Sequence, residues 1–326
     1  MRSDEGLSPQ PITPPGLPIG ALRISYPVTI WVVAFVAFVY LFFPIVTMQL
    51  LMAAGFGPHL TGPPTPEQME PLTRLNLIAG GLAFPLQIAS VIFLLPRFAG
   101  IHLDQIGLTL SGLVRNGLRG VDGWQILTPV CLALNYGILA LYVMGGVQAA
   151  SNVHEHPLVE LAQQGLTPME RFLFIAAVTV TAPVMEEMLF RGALQTWLEN
   201  RPVGAPFVML LALLASVPAQ REAWAAAWRQ GIGALLLHSA PILFIAALAL
   251  IYLVVYRLSR TSAWPALFAA STLFAAVHSF AWPSPVPLFL LALGLGWLAQ
   301  RTRSLAGPIV LHGLFNAVNC MILFWK

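Results

Sequence analysis

Six ionisable side chains lie inside long apolar runs of this sequence, where a lipid bilayer would surround them. A charge at the bilayer centre costs about 2.5–3.5 kcal/mol on insertion scales, so each such group is interpreted first as part of a functional interior site. Three of them share a single run and would together cost roughly 7–10 kcal/mol if all were ionised. The six residues are Glu186, Glu187, Arg191, His238, His278 and His312.

The spacing of the three charges in the shared run separates one pair from a single acid. Glu187 and Arg191 are four residues apart, so on a helix they share a face and can neutralise each other. Glu186 is rotated by about 100° from Glu187 on a helix, so its carboxylate must find a partner on another helix. Pro183 precedes Glu186 by about one turn and cannot donate a helical hydrogen bond, which predicts a kink beside the acid.

Two of the histidines have an aromatic or amide side chain four residues away, on the same face of a predicted helix. Phe274 and His278 are four residues apart, as are His312 and Asn316, so each pair points toward one place. One carboxylate, two imidazoles and an amide can form a hydrolytic site, in which Glu186 takes a proton from water and a histidine shares it. His312 and Asn316 can then donate to the oxyanion of a tetrahedral intermediate.

Other interpretations of these residues stay open at the level of sequence. A Glu–Arg pair within a span is often only structural, and a membrane histidine is more often an interhelical hydrogen-bonding group; His238 keeps that interpretation. Glu186, His278 and His312 could also form a zinc set with a fourth position for water. We favour a metal-free site, because Asn316 shares the face of His312, and an amide is a poor zinc ligand but a good oxyanion donor.

The composition places these residues in a polytopic membrane protein. Of 326 residues, 58% are hydrophobic and only 9% are charged, against roughly 25% charged in an ordinary soluble domain. Such a chain exposes more apolar surface than water tolerates, which excludes a soluble globular protein, a disordered chain and a nucleic-acid binder. The predicted fold class is therefore all-α, a polytopic transmembrane helix bundle.

Apolar runs that approach the 20 residues of a membrane span predict nine spans, with eight as the alternative. With the N-terminus in the cytoplasm, most arginines between spans fall on the cytoplasmic side, as the positive-inside rule requires. Residues 1–22 contain five prolines and are predicted to be a disordered tail. The nine runs are 27–54, 75–95, 124–146, 171–197, 203–217, 232–256, 264–281, 286–300 and 305–325.

Three short strings resemble the motifs of a known family of membrane proteins. EEMLFRG at 186–192, FAAVH at 274–278 and HGLFN at 312–316 are similar to the EExxxR, FxxxH and HxxxN motifs of the CAAX prenyl protease and bacteriocin-processing (CPBP) family. All three occur in order, each on an apolar run. The resemblance implies a CAAX protease-like catalytic domain at 170–326, preceded by N-terminal transmembrane helices at 23–169.

Members of this family are intramembrane endopeptidases of glutamate type, and they include the eukaryotic CAAX-processing protease and the bacterial lysostaphin resistance protein A-like proteins. By motif position, Glu186 resembles the water-activating base and His278 its partner, while His312 and Asn316 resemble the oxyanion-stabilising pair. The supporting positions match Glu187, Arg191 and Phe274. The connection between the first two motifs is longer here than in the family, and we interpret about 201–260 as an inserted helical segment.

The predicted function is an intramembrane endopeptidase that cuts membrane-associated proteins or peptides with water activated by glutamate and histidine. Two alternatives are a non-enzymatic immunity or scaffold factor of the same family, which complete motifs disfavour, and a proton-coupled transporter, for which no inverted repeat is visible. Expected partners are membrane lipid and a protein or peptide substrate, with no nucleic acid. No cofactor is expected, with zinc as the alternative because family members have been described as metalloproteases.

The use of basic residues suggests where the protein works. Fifteen arginines against one lysine are typical of a GC-rich genome, which favours a bacterial source. We accordingly expect a multi-pass protein of the inner cell membrane. That setting does not favour prenylated CAAX proteins as substrates.

Overall fold

The computed structural model describes residues 27–60, 62–144, 161–163, 165–217, 221–259 and 263–325. Within these ranges the chain is helical and contains no strand. The predicted proline-rich tail at 1–22 lies outside the described residues. The principal helices are α1 (Ile30–Ala53), α2 (Glu67–Ala99), α3 (Leu113–Met144), α4 (Pro168–Asn200), α5 (Pro202–Ala215), α6 (Arg221–Gln230), α7 (Ile232–Leu258), α8 (Trp264–Ala276), α9 (Pro285–Thr302) and α10 (Ala306–Phe324).

Each of the nine predicted apolar runs overlaps one of these helices, and the all-α prediction is confirmed. Among the described residues, six helices are long and apolar enough to cross a membrane, namely α1, α2, α3, α4, α7 and α10. The helices α5, α8 and α9 are shorter. The protein is therefore a multi-pass membrane protein in which short helices lie among long ones.

The predicted run 264–281 is too long, because α8 ends at Ala276 and turns follow until α9 begins at Pro285. Pro283 and Pro285 cannot donate helical hydrogen bonds, and each disfavours helical backbone in the residue before it. With 13 residues, α8 is about 20 Å long, while the hydrocarbon core is roughly 30 Å thick. A helix of this length that starts at one membrane surface therefore ends inside the hydrocarbon core.

The short helix α8 lies at the centre of the bundle. Eleven of its 13 residues are buried. It contacts α4, α5, α7 and α9, so protein rather than lipid surrounds it. This position carries the residues that follow α8, including His278, into the interior of the protein.

Helices α3 and α10 approach each other closely at a pair of glycines. A Cβ atom added to Gly120 would overlap the carbonyl oxygen of Gly307, so neither position has room for a larger residue. Small residues at helix crossings in membranes allow the backbones to make van der Waals contact. This crossing fixes the part of α10 that lies just before His312.

We expect Gly120→Ala to lower the free energy of unfolding by about 1–3 kcal/mol, because the added methyl group overpacks the crossing. Unfolding of the purified protein in detergent measures the change. Gly137→Ala is the matched control on the same helix, since nothing lies within 4 Å of its added Cβ. Equal stability of the two variants would show that the crossing is not tightly packed.

Candidate active site

A fully buried carboxylate joins two of the predicted motifs. Glu187 is 0% exposed, and its Oε1 atom accepts hydrogen bonds from Arg191 Nη1 at 3.0 Å and His312 Nδ1 at 2.8 Å. Arg191 Nη2 also donates to the carbonyl of Ala292 in α9, at 3.4 Å. This network connects α4, α9 and α10, and the Glu187–Arg191 pairing predicted from spacing is confirmed.

The neighbouring acid, Glu186, has a different environment. Its side chain is 13% exposed, and its Oε2 atom lies 3.9 Å from Nε2 of His312. Its Oε1 atom accepts a hydrogen bond from the hydroxyl of Tyr40 in α1, at 3.4 Å. As its position on the helix predicts, Glu186 meets partners from other helices, and it has no guanidinium within ion-pair distance among the described residues.

The ring of Phe274 brings the two motif histidines together. Its centroid lies 4.9 Å from the ring of His278 and 5.7 Å from that of His312. The guanidinium carbon of Arg191 lies 4.5 Å from the same centroid, in a cation–π arrangement. Although His278 belongs to a turn and His312 to a helix, both therefore border one aromatic ring.

Both histidines have their Nδ1 atom engaged. His278 Nδ1 lies 2.7 Å from the carbonyl oxygen of Phe274, and because a carbonyl only accepts, this nitrogen carries the proton. His312 Nδ1 is bonded in the same way to the carboxylate of Glu187. Nε2 of each imidazole is therefore left to interact with another group. The hydrogen bond at Nδ1 fixes the orientation of each ring.

The amide of Asn316 bonds to an irregular part of α4. Its Nδ2 atom donates to the carbonyl of Val178 at 2.8 Å, within a wide π-helical turn at Ala177–Thr181. In such a turn the Val178 carbonyl would accept from residue 183, but Pro183 has no N–H. Asn316 satisfies the carbonyl that Pro183 leaves unpaired. A primary amide has two N–H donors, so one is left for the site.

A family model described as type II CAAX prenyl endopeptidase Rce1-like matches residues 168–267 and 252–318 of the chain. These residues contain the three motif strings and the network around Glu187. Residues 168–318 are thus similar to the Rce1-like CAAX protease family. The resemblance seen in the motifs is thereby confirmed at the level of the family, which is one of membrane proteases. No curated protein and no solved structure matches the chain.

Residues of the three motifs contact one another in the fold. The length predicted for the run 264–281 would have placed His278 near the far membrane surface. Because α8 ends at Ala276, His278 instead lies in a turn against Phe274, whose ring also contacts His312. His238 lies apart from this site, on α7, where its ring contacts Trp224 at a centroid distance of 4.6 Å.

Sequence reasoning missed two polar groups that the fold adds to the candidate site. Tyr40 is one, and no sequence signal could have found it, because it lies 146 residues from Glu186. Gln195 is the other: it continues the spacing of Glu187 and Arg191 by one more turn, and this signal was available. Gln195 is 2% exposed, and its Nε2 atom donates to the carbonyl of Gly296 at 3.1 Å.

A small cavity of about 40 Å³ lies beside this polar stripe of α4. Arg191, Gln195 and Glu199 line it, together with Gln300 and Arg303 from the arginine-rich end of the bundle. Two buried oxygens along the stripe, Glu187 Oε2 and Gln195 Oε1, have no protein partner. A polar cavity of this size has room for water, which needs about 10–15 Å³ per molecule.

The positions of possible metal ligands bear on the zinc alternative. Among the residues that the structure describes, no three His, Cys, Asp or Glu side chains are grouped as metal ligands. The metal-free site and the alternative zinc set of Glu186, His278 and His312 both stay predictions.

We expect Glu187→Gln to lower the free energy of unfolding by roughly 3–5 kcal/mol, because it leaves the buried Arg191 guanidinium without its counter-charge. Glu70→Gln is the matched control: Glu70 and Arg74 have the same four-residue spacing, but their side chains are 45% and 25% exposed. That surface change should cost at most about 1 kcal/mol. Similar losses of stability for both variants would contradict a structural role for the buried network.

Proposed function

We propose that this protein is an intramembrane endopeptidase of the inner cell membrane. It hydrolyses peptide bonds of membrane-associated proteins or peptides with water activated by Glu186. The observation that carries this proposal is the contrast between two adjacent glutamates. Glu187 is completely buried and bonded to Arg191 and His312, while Glu186 is partly exposed and hydrogen-bonded only weakly. Paired carboxylates whose environments differ in this way commonly divide structural and catalytic tasks.

The first step assigns Glu186 as the general base. It accepts a proton from water as the water oxygen bonds to the carbonyl carbon of the substrate. The developing oxyanion then needs donors. His312 supplies Nε2 as a donor when its imidazole is doubly protonated, while its Nδ1 donates to the Glu187 carboxylate. The second N–H of Asn316 is a further donor.

The second step breaks the peptide C–N bond. The proton taken up by Glu186 passes to the leaving nitrogen, either directly or through Nε2 of His278. The carboxyl group that forms and the free amine then leave the site, and Glu186 is again ionised. Glu187, Arg191 and Phe274 hold these groups in position without contacting the substrate.

The water for hydrolysis enters, in this proposal, from the arginine-rich end. The polar stripe of α4 leads from Glu199 through Gln195 toward Glu187, and the cavity beside it is polar. No metal is required by this mechanism, since a carboxylate at membrane depth is itself a sufficient base. The complete set of motif residues does not favour a vestigial site.

We expect Glu186→Gln to reduce cleavage by 10²–10⁴-fold, the usual contribution of a general base, while the free energy of unfolding stays nearly unchanged. Quantitative proteomics of membranes that carry the wild-type or the Glu186→Gln protein identifies the substrates and measures the loss. Glu67→Gln, an exposed acid at the start of α2, is the control and should leave cleavage unchanged.

Cleavage by the purified wild-type protein in the presence of a chelator tests whether the mechanism needs a metal. Cleavage should persist in EDTA, and the protein should contain no stoichiometric zinc. Loss of cleavage in EDTA with recovery on addition of zinc would overturn the glutamate mechanism.

A further inference from the structure

A groove of about 620 Å³ opens between α3, α9 and α10. None of the candidate catalytic residues lines it. Its lining combines two arginines and a tryptophan at one end with leucine and isoleucine side chains along the rest. This combination of charge, aromatic ring and apolar wall is what a single phospholipid molecule requires.

The charged end of the groove lies on the arginine-rich side of the protein. Arg119 is near the start of α3, Arg301 is in the last turn of α9, and both are exposed. Asp122 also lines the groove, so these three charged residues carry one net positive charge. The guanidinium carbon of Arg301 lies 5.9 Å from the ring centroid of Trp297, an arrangement typical of membrane interfaces.

The apolar part extends from this end toward the membrane interior. Ile126 follows Arg119 by two helical turns, about 10 Å, and is 69% exposed. Leu127 and Leu298 continue the wall, and Leu311 of α10 also lines the groove. Gly294 allows the side chain of Leu127 to lie against α9, because a Cβ atom at this position would overlap it.

We propose that this groove binds one anionic phospholipid. Its phosphate lies between Arg119 and Arg301, and the beginning of an acyl chain lies along Ile126 and Leu127. Basic pockets between transmembrane helices on the cytoplasmic side are suited to anionic headgroups, whereas a neutral acyl chain alone would not require two arginines. Asp122 would repel any negative charge beyond that of the phosphate. The site therefore fits a headgroup with a single negative charge. The proposal is independent of the proposed protease activity.

Native mass spectrometry of the full-length protein in neutral detergent tests this site. The protein is titrated with phosphatidylglycerol and, separately, with phosphatidylethanolamine, which shares the phosphate but has no net charge. We expect tighter binding of the first phosphatidylglycerol molecule, and a loss of about tenfold or more in the double variant Arg119→Ala/Arg301→Ala. The control Arg97→Ala/Arg257→Ala removes the same charge from the same side and should change this affinity less than twofold.

A second variant tests the shape of the groove separately from its charge. Ile126→Trp fills the apolar part of the groove without changing any charge, and its exposed position makes it compatible with folding. It should also weaken the first phosphatidylglycerol. Equal binding of the two lipids by the wild-type protein, unchanged binding by both variants, or displacement of the lipid by inorganic phosphate alone would overturn the proposal.

Discussion

A carboxylate with no access to solvent, that of Glu187, determines how the motif helices are arranged. Such a charge is stable inside a membrane protein only if opposite charge and hydrogen-bond donors surround it. Arg191 on the same helix and His312 on α10 both bond to one of its oxygens, and Arg191 in turn reaches the backbone of α9. The cost of leaving this group unpaired thus holds three helices in one relative position.

The neighbouring Glu186 makes no ion pair with Arg191, because Arg191 pairs with Glu187. Its contacts are a long hydrogen bond from Tyr40 and the approach of His312 Nε2. The helix that carries both acids is irregular on either side of them, with wide turns at Ala177–Thr181 and Met188–Gln195. Wide turns of this kind recur at functional sites, since they aim side chains in directions that a regular helix cannot.

Sequence spacing predicted the parts of this arrangement that lie within one helix. Glu187 and Arg191 pair because they are four residues apart, and the same rule would have found Gln195. The cost of charge in lipid also predicted that Glu186 must meet another helix. Contacts between distant helices carry no such signal, so neither Tyr40 nor the bond between His312 and Glu187 could be derived.

The end of α8 was the principal error of sequence reasoning. An apolar run continues through His278, but the helix ends at Ala276, seven residues before Pro283, and composition alone does not show where it stops. The correction matters because it places His278 against Phe274, the ring that also contacts His312. The fold class and the family could be predicted from the sequence, because both depend on composition and on motifs that are local in the chain.

The central claim is that Glu186 activates water and does not itself attack the substrate. A single turnover in H₂¹⁸O, followed by mass spectrometry of the product and of the protease, tests this directly. Water attack predicts ¹⁸O in the new carboxyl terminus of the product and none in the peptide that contains Glu186. Attack by the carboxylate would form an anhydride, and its hydrolysis at the carbonyl carbon of Glu186 would leave ¹⁸O in Glu186, which would contradict the account.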